Sequence, residues 1–269
     1  MTAEAWGRRP RDWAELAEPS NRPLFAEVLD RLAIGPATRL LDIGCGSGYA
    51  AALAAQRGAK LTGIDLTPEL IEIARGRVPG ADFRIGPMDD LPFEDACFDA
   101  AVAFNALQFA EDPRRAVREA ARVLAPGGLL AAATFAEPER NESTALHLAL
   151  EPLRSAAPHG ARHLPYELSD PGGLERLLEA ASLEPVDAGE VPLAWAHPTT
   201  DHAVRAVLAS GGGAMAIEAA GEAAARAALE TAIAPFTRPD GSVSMRNVFR
   251  YAIARRPESR GVIRRSNAP

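Results

Sequence analysis

The stretch RLLDIGCGSGYAAALAAQRG at positions 39–58 constrains this chain more than any other. A short apolar run passes through Gly44, Gly46 and Gly48 into an alanine-rich helical segment that Gly58 ends. Glycine is needed where backbone must turn sharply or approach a ligand with no Cβ in the way. The helix start then offers free N–H groups and partial positive charge to an anion. The spacing is G-x-G-x-G, and Tyr49 stands where a dinucleotide fingerprint would carry its third glycine. A tight structural turn would use the same glycines, so the loop alone does not decide.

Strand-like and helix-like runs alternate after it. KLTGIDLT (60–67) is a second strand ending at Asp65, and PELIEIARGRV (68–78) is a helix with Pro at its first position. ADFRIG (81–86), DAAVAFNALQF (99–109) and GLLAAATF (128–135) supply further strands. The helix DPRRAVREAARVL (112–124), with Asp112 as N-cap, precedes the last of these. Such alternation predicts a doubly wound α/β fold, its parallel sheet covered on both faces. Upstream, PLFAEVLDRLAI (23–34) has helical spacing. Downstream the rhythm breaks over 137–169, then returns as a helix over 170–183 and a strand over 184–195. One or two helices over 199–234, broken at Gly211 to Gly213, lead to a last strand at 248–256. The Arg-bearing tail reads as a solvated terminus.

Composition excludes several classes. Thirty-six acids against 29 bases give a net charge of -7 over 269 residues. A chain that binds by neutralising phosphates carries a basic excess, so nucleic acid is disfavoured as the main partner. Lys60 is the sole lysine, which fits a GC-rich bacterial source. Two cysteines, Cys45 and Cys97, are too few for a disulfide framework and fit a reduced compartment. The N-terminal MTAEAWGRRPRDWAELAEP has no apolar run of the signal-peptide kind. No stretch reads as a membrane-spanning helix. The expectation is a cytoplasmic protein, monomeric or homodimeric.

An acid at the tip of the second strand hydrogen-bonds ribose hydroxyls in nucleotide-binding doubly wound folds, though an Asp there also serves as a helix N-cap. Asp42, the loop glycines and Asp65 in register are together more specific. On LLDIGCGSG and GIDLTPELIEIAR the chain resembles class I S-adenosylmethionine (SAM)-dependent methyltransferases at their first two motifs. DDLPFEDACFDAAVAFNALQF and EAARVLAPGGLLAAATF resemble the same family's later segments. The likeness covers 38–136 and is nearest the bacterial small-molecule group, the ubiquinone and menaquinone type.

The resemblance implies a Rossmann-like sheet of seven strands, mostly parallel with the last antiparallel, and SAM as cofactor with no metal. Gly44, Gly46 and Gly48 would line the methionine moiety, with Cys45 as a small filler in the same loop. Asp42 would hold the ammonium, Asp65 both ribose hydroxyls, and Leu66 the adenine face. Met88 would offer its amide to the adenine, and Asn105 would face the methionine end and the acceptor. The family often places an acid after the third strand's glycine. Here Pro87 follows Gly86 and Asp89 is the nearest acid, which predicts loose adenine recognition.

Other candidates are weaker. His159 and His163 are four apart, but Pro158 and Pro165 crowd them and no third metal ligand is evident. Neither cysteine has the setting of a cytosine-methylating nucleophile, and Asn105-Ala-Leu-Gln differs from the box of adenine-specific DNA methylases. His147 and His202 are candidate bases, with His197 in the same region. Trp13, Phe109 and Phe135 are the aromatics assigned to an acceptor pocket. The domain reading is a helical N-terminal cap over 1–36, a SAM-binding core over 37–136, and helical lid insertions over 137–169 and 198–236. Segments 1–22, 137–169 and 198–236 should roof the site, and removing 1–20 should abolish turnover while leaving SAM affinity within a few-fold. The expected activity is methyl transfer to an O, N or C nucleophile of a small molecule such as a secondary metabolite. Two alternatives stay open: a SAM-binding enzyme of pericyclase type that does not methylate, and an NAD-dependent oxidoreductase, which the residue at 49 disfavours.

Overall fold

The computed structural model describes residues 2–154 and 168–258; His159 and His163 lie outside the described residues. Short runs rich in Leu, Ile, Val and Ala become the strands. They are β1 (Arg39–Ile43), β2 (Lys60–Asp65), β3 (Asp82–Ile85), β4 (Phe98–Phe104), β5 (Leu124–Phe135), β6 (Glu184–His197) and β7 (Val243–Arg255). They form one sheet in the order β3-β2-β1-β4-β5-β7-β6. The central strands are covered on both faces, and the edge strands β3 and β6 bury one face. β1 to β5 pair in parallel, and β7 runs antiparallel to both β5 and β6. This is the seven-stranded, mostly parallel arrangement the sequence leads one to expect.

Helices cover the two faces. On one, α3 (Arg22–Arg31) and α4 (Tyr49–Gln56) bury Leu24, Val28, Leu29 and Leu53 against Leu40, Phe104 and Phe249. On the other, α6 (Pro113–Val123) and α8 (Gly173–Glu179) pack Val117, Val123, Leu174 and Leu178 on Leu41, Ile43 and Leu130. Asp112 caps α6, accepting from the amides of Arg114 and Arg115 at 2.9 and 3.1 Å. The helix stops at Val123, one residue short of expectation, and β5 begins at once. Pro126-Gly127-Gly128 therefore lies inside β5 as an irregularity. Pairing runs from Phe98 with Leu124 to Ala100 with Leu129, and Gly127 takes φ +78°.

Three segments stand apart from that frame. The N-terminal one winds through α1 (Ala3–Gly7), α2 (Pro10–Asp12) and a π-helical turn, Trp13–Ala17. The other two are α7 (Thr144–Arg154) and the run α9 (Thr200–Leu208), α10 (Gly211–Ala220) and α11 (Glu222–Ile233). Leu146, Leu150, Val204, Leu208, Leu229 and Ile233 share a core with Val243 and Met245 of β7. The cap helices thus have a small core of their own, seated on the far end of the β6–β7 pair. Gly211 to Gly213 do not break a helix. Ser210 caps α10, accepting from Gly213 N at 3.1 Å, and a Cβ on Gly213 would come within 2.4 Å of the Val207 carbonyl. The break falls at Ser210 and again at Gly221.

Candidate functional site

In an open parallel sheet, ligands bind outside the carboxyl ends of the strands where the strand order reverses. Here that point lies between β1 and β4. A cavity of about 210 Å³ opens there, and Asp42, Gly44, Cys45, Gly46, Phe104 and Asn105 of those strand ends line it. A smaller cavity of about 70 Å³ adjoins it and is lined by Ile64, Asp65, Leu66, Thr67, Gly86 and Met88. Gly44, Met88, Trp6 and Phe109 border both.

The glycine loop is shaped by close approach. Gly44 and Gly46 have φ +70° and +53°, and a Cβ at Gly44 would fall 2.6 Å from that of Ala106. Asp65 ties the loop down. One of its oxygens accepts from Gly46 N and the other from Thr67 N, both at 2.9 Å. A second acid, absent from the expected set, does the same from the other side. Glu18 accepts from Ser47 N at 2.9 Å, bonds the Ser47 hydroxyl, and pairs with Arg77 at 2.9 Å. Arg77 reaches in turn to the carbonyls of Ser47 and Ala14. The π-helical turn sets this up: the Glu18 amide bonds the Trp13 carbonyl, and the Trp13 indole N–H donates to Glu18 at 3.2 Å.

The electrostatics follow from burial. Asp42 is 2% exposed, and its Oδ2 has no hydrogen-bond partner among the described residues. Desolvation, with Glu18 and Asp65 nearby, pushes its carboxyl up to about 8. Burial also raises Glu18, against the pull of Ser47 and Arg77, and raises Asp65, against its backbone donors. Buried charge is costly unless compensated. The amides of Gly46 and Ser47 are already bonded to carboxylates, so this loop favours a cation and repels a pyrophosphate. Cys45 is buried in the same field, which lifts its thiol well above the ordinary range and leaves it inert.

The rest of the large cavity is mostly apolar. Phe25 and Phe104 pack at 4.8 Å, and Phe135 lies 5.8 Å from Trp195, whose N–H donates to Asn21 at 3.1 Å. Trp13 and Phe109 also line it, with Trp6 4.7 Å from Trp13 and 5.7 Å from Phe109. Leu146, Leu150 and Val207 close the cap side. Few polar groups interrupt these walls. Asn105, in the left-handed region at φ +49°, has an enclosed, unpartnered Oδ1, and both amide atoms of Gln108 are likewise unpartnered among the described residues.

Of the expected residues, Asp42, Gly44, Cys45, Gly46, Met88, Asn105, Trp13, Phe109, Phe135 and His147 line the large cavity, and Asp65 and Leu66 the small one. Three do not. Gly48 is needed for packing: it has φ +77° and a Cβ there would meet Ala74 at 2.9 Å. Asp89 borders neither cavity, because the turn after β3 gives that place to Met88. His202 is one residue removed from the wall. Its Nδ1 lies 2.9 Å from Nδ1 of His197, and His197 lines the cavity. Burial pushes both cavity histidines, His147 and His197, down to about 4, so both are neutral at physiological pH. Glu18, Asn21, Gln108 and Arg154 were missed. Among the described residues no group of three His, Cys, Asp or Glu side chains could hold a metal ion.

Comparison with known proteins agrees with this geometry. Residues 41–132 match the family described as a methyltransferase domain. A ubiquinone biosynthesis O-methyltransferase of Xanthomonas campestris pv. campestris is 37% identical over 113 residues, covering 40% of this chain and 47% of that protein. The chain thus spans less than half the length of the curated relatives it matches. A putative methyltransferase from Bacillus halodurans C-125 superposes with a TM-score of 0.59 at 19% identity, over 87% of this chain and 98% of that one. The [4+2]-cyclase SpnF gives 0.57 at 25% identity, over 87% and 80%. Residues 41–132 therefore match a methyltransferase domain, and the whole sheet has the Rossmann-like fold of the methyltransferase structures it superposes on.

Proposed function

We propose that this chain binds SAM and transfers its methyl group to a nucleophile on a small, largely apolar molecule. The observation that carries this reading is the acidic glycine loop opening into an aromatic cavity. Two buried carboxylates, Glu18 and Asp42, and the half-buried Asp65 surround a loop whose amides are already taken, which suits a sulfonium and an ammonium and opposes a dinucleotide. The residues fit the cofactor: Asp42 Oδ2, unpartnered among the described residues, would accept from the ammonium, Asp65 from a ribose diol, and Leu66 and Met88, which line the small cavity, would flank the adenosine end.

SAM, when bound, supplies an already activated methyl group. The chain's own part is to hold the acceptor in line and to exclude water. Positioning of this kind is worth roughly 7–11 kcal/mol, against some 3–5 kcal/mol for a general base. With His147 and His197 both pushed to about 4, neither is a strong base. A phenol or amine acceptor, which needs little help to lose its proton, suits this site better than an aliphatic alcohol. The N-terminal segment, α7 and α9–α10 all reach the cavity wall and so serve as its cover.

Two measurements test the reading. SAM should bind in titration where NADH does not, and methyl-labelled SAM should pass its label to a phenol or amine from a small panel. A second reading is favoured by the likeness to SpnF: a SAM-holding enzyme that rearranges its substrate without methylating it. Product formation with no label transfer would select it. No helix among the described residues is long and apolar enough to cross a membrane. The proposal keeps the enzyme in the cytoplasm, as a monomer or homodimer.

SAM affinity should also depend on pH with a definite sign. Asp42 with a pKa of about 8 is mostly protonated at pH 6. Holding an ammonium requires the carboxylate, so binding releases a proton below pH 8. Affinity should climb by roughly tenfold per pH unit up to pH 8. The same shift makes the ligand-free fold lose stability as pH rises from 4 towards 8, since ionisation is harder in the folded state. Calorimetry in buffers of differing ionisation enthalpy reads the proton release. A flat affinity between pH 6 and 8, or an unchanged slope in Asp42→Asn, would refute this role for Asp42.

A further inference from the structure

The polar groups of the cavity are divided by sign and by element. Its two carboxylates, Glu18 and Asp42, belong to the N-terminal segment and the end of β1. The cation belongs to the cap. Helix α7 turns His147, Leu150 and Arg154 towards the cavity, an i, i+3, i+7 spacing that puts them on one face. Arg154 is the last residue of that helix, and its Nε is enclosed with no hydrogen-bond partner among the described residues. The surface arginines are treated differently. Arg122, Arg140, Arg205 and Arg246 each meet a carboxylate at 2.6–2.7 Å.

Glycine on the facing helix lets the guanidinium lie close against the cavity wall. The wall next to the guanidinium is the start of α10, where a Cβ on Gly212 would sit 3.2 Å from Arg154 Nη1. A guanidinium cannot shed its charge as a lysine can, and this one is half-buried, with Glu151 one turn back as a nearby opposite charge and its Nε still unpaired among the described residues. Its planar fork matches a carboxylate in two parallel hydrogen bonds. The aromatic pair Phe135 and Trp195 lines the same cavity, so the body that goes with that carboxylate is apolar and flat.

The geometry points to Arg154 as the anchor for a carboxylate on the methyl acceptor, which makes the acceptor an aromatic acid. This rests on the proposed methyl transfer, but its test does not use transfer. Hydroxylated and aminated benzoates and cinnamates, each beside its methyl ester and primary amide, are titrated by ligand-observed NMR into protein saturated with S-adenosylhomocysteine. At least one acid should bind tenfold or more tightly than its ester and amide. Arg154→Met should bring acid and ester within twofold of each other, Arg154→Lys should keep part of the preference, and both should bind S-adenosylhomocysteine within threefold of the parent. The proposal is overturned if no acid is preferred or none binds, or if Arg154→Met keeps the preference. It is equally overturned if Arg154→Met weakens S-adenosylhomocysteine tenfold, which would place Arg154 on the cofactor's own carboxylate. A transfer assay that fails while the acid preference holds would count against methylation and leave the anchor standing.

Discussion

Replacing Asp65 with alanine is expected to weaken SAM binding by about a hundredfold or more. The carboxylate offers roughly four lone-pair sites. Two are taken by the amides of Gly46 and Thr67, each at 2.9 Å, and a ribose diol would take the others in place of the looser contacts from the Leu66 amide and the Thr67 hydroxyl. Hydrogen bonds to a charged group are worth about 1.5–3 kcal/mol each. Losing two therefore costs about 3–6 kcal/mol, or between a hundred- and ten-thousandfold. The loss of the Gly46 tether adds to this, because a loop with φ +53° at that residue has no side chain of its own to hold it. Asp65→Asn, which keeps one acceptor oxygen, should fall between parent and alanine variant. Calorimetry with SAM measures all three. Parent-like affinity in Asp65→Ala would remove Asp65 from the site.

The frame that carries Asp65 was readable because its signals are local. β1 at 39–43 and β2 at 60–65 fall where short apolar runs meet glycine and helix-start residues, and α6 begins where Asp112-Pro113 says it should. What could not be read is what depends on distant partners. Glu18 stands 29 residues from Ser47 and 59 from Arg77, in a polar stretch with no periodicity. Nothing local separates it from Glu15, which borders neither cavity. His197 is a different case, since its signal was present. β6 runs two residues past Trp195, and its inward positions Val191, Leu193, Trp195 and His197 alternate as a half-buried strand must. Ending the strand at 195 hid that step and gave the role to His202 instead. Gly211 to Gly213 were misread because a glycine cluster looks like a breaker, while the Ser210 cap and the tight contact of α10 with α9 call for small residues at a helix start.

Glu18 carries the second large effect, and it reverses the expectation that the N-terminal segment serves the acceptor alone. Its carboxylate bonds Ser47 N at the entrance to α4 and pairs with Arg77 of α5 (Pro68–Arg77) at 2.9 Å. The pair is sheltered, with side-chain exposure of 8% for Glu18 and 22% for Arg77. Truncating one partner of such a pair costs about 3–5 kcal/mol, because the other charge stays behind without compensation. For a chain of this size that is on the order of 10 °C in melting temperature. The loop would suffer beyond the loss of stability. Ser47 loses the acceptor for its amide, and Trp13 loses the oxygen that fixes its indole against the cavity. Glu18→Ala should therefore lower both the melting temperature and, by tenfold or more, the SAM affinity. Glu18→Gln, which can still accept from Ser47 N, should lose less of the affinity. Removing residues 2–20 should do at least as much harm as Glu18→Ala, since it takes away Trp6 and Trp13 as well. Fluorescence-monitored melting and calorimetry at 20 °C read the two effects separately. An alanine variant that melts within 2 °C of the parent and binds SAM within twofold would show that the glycine loop holds its shape without Glu18.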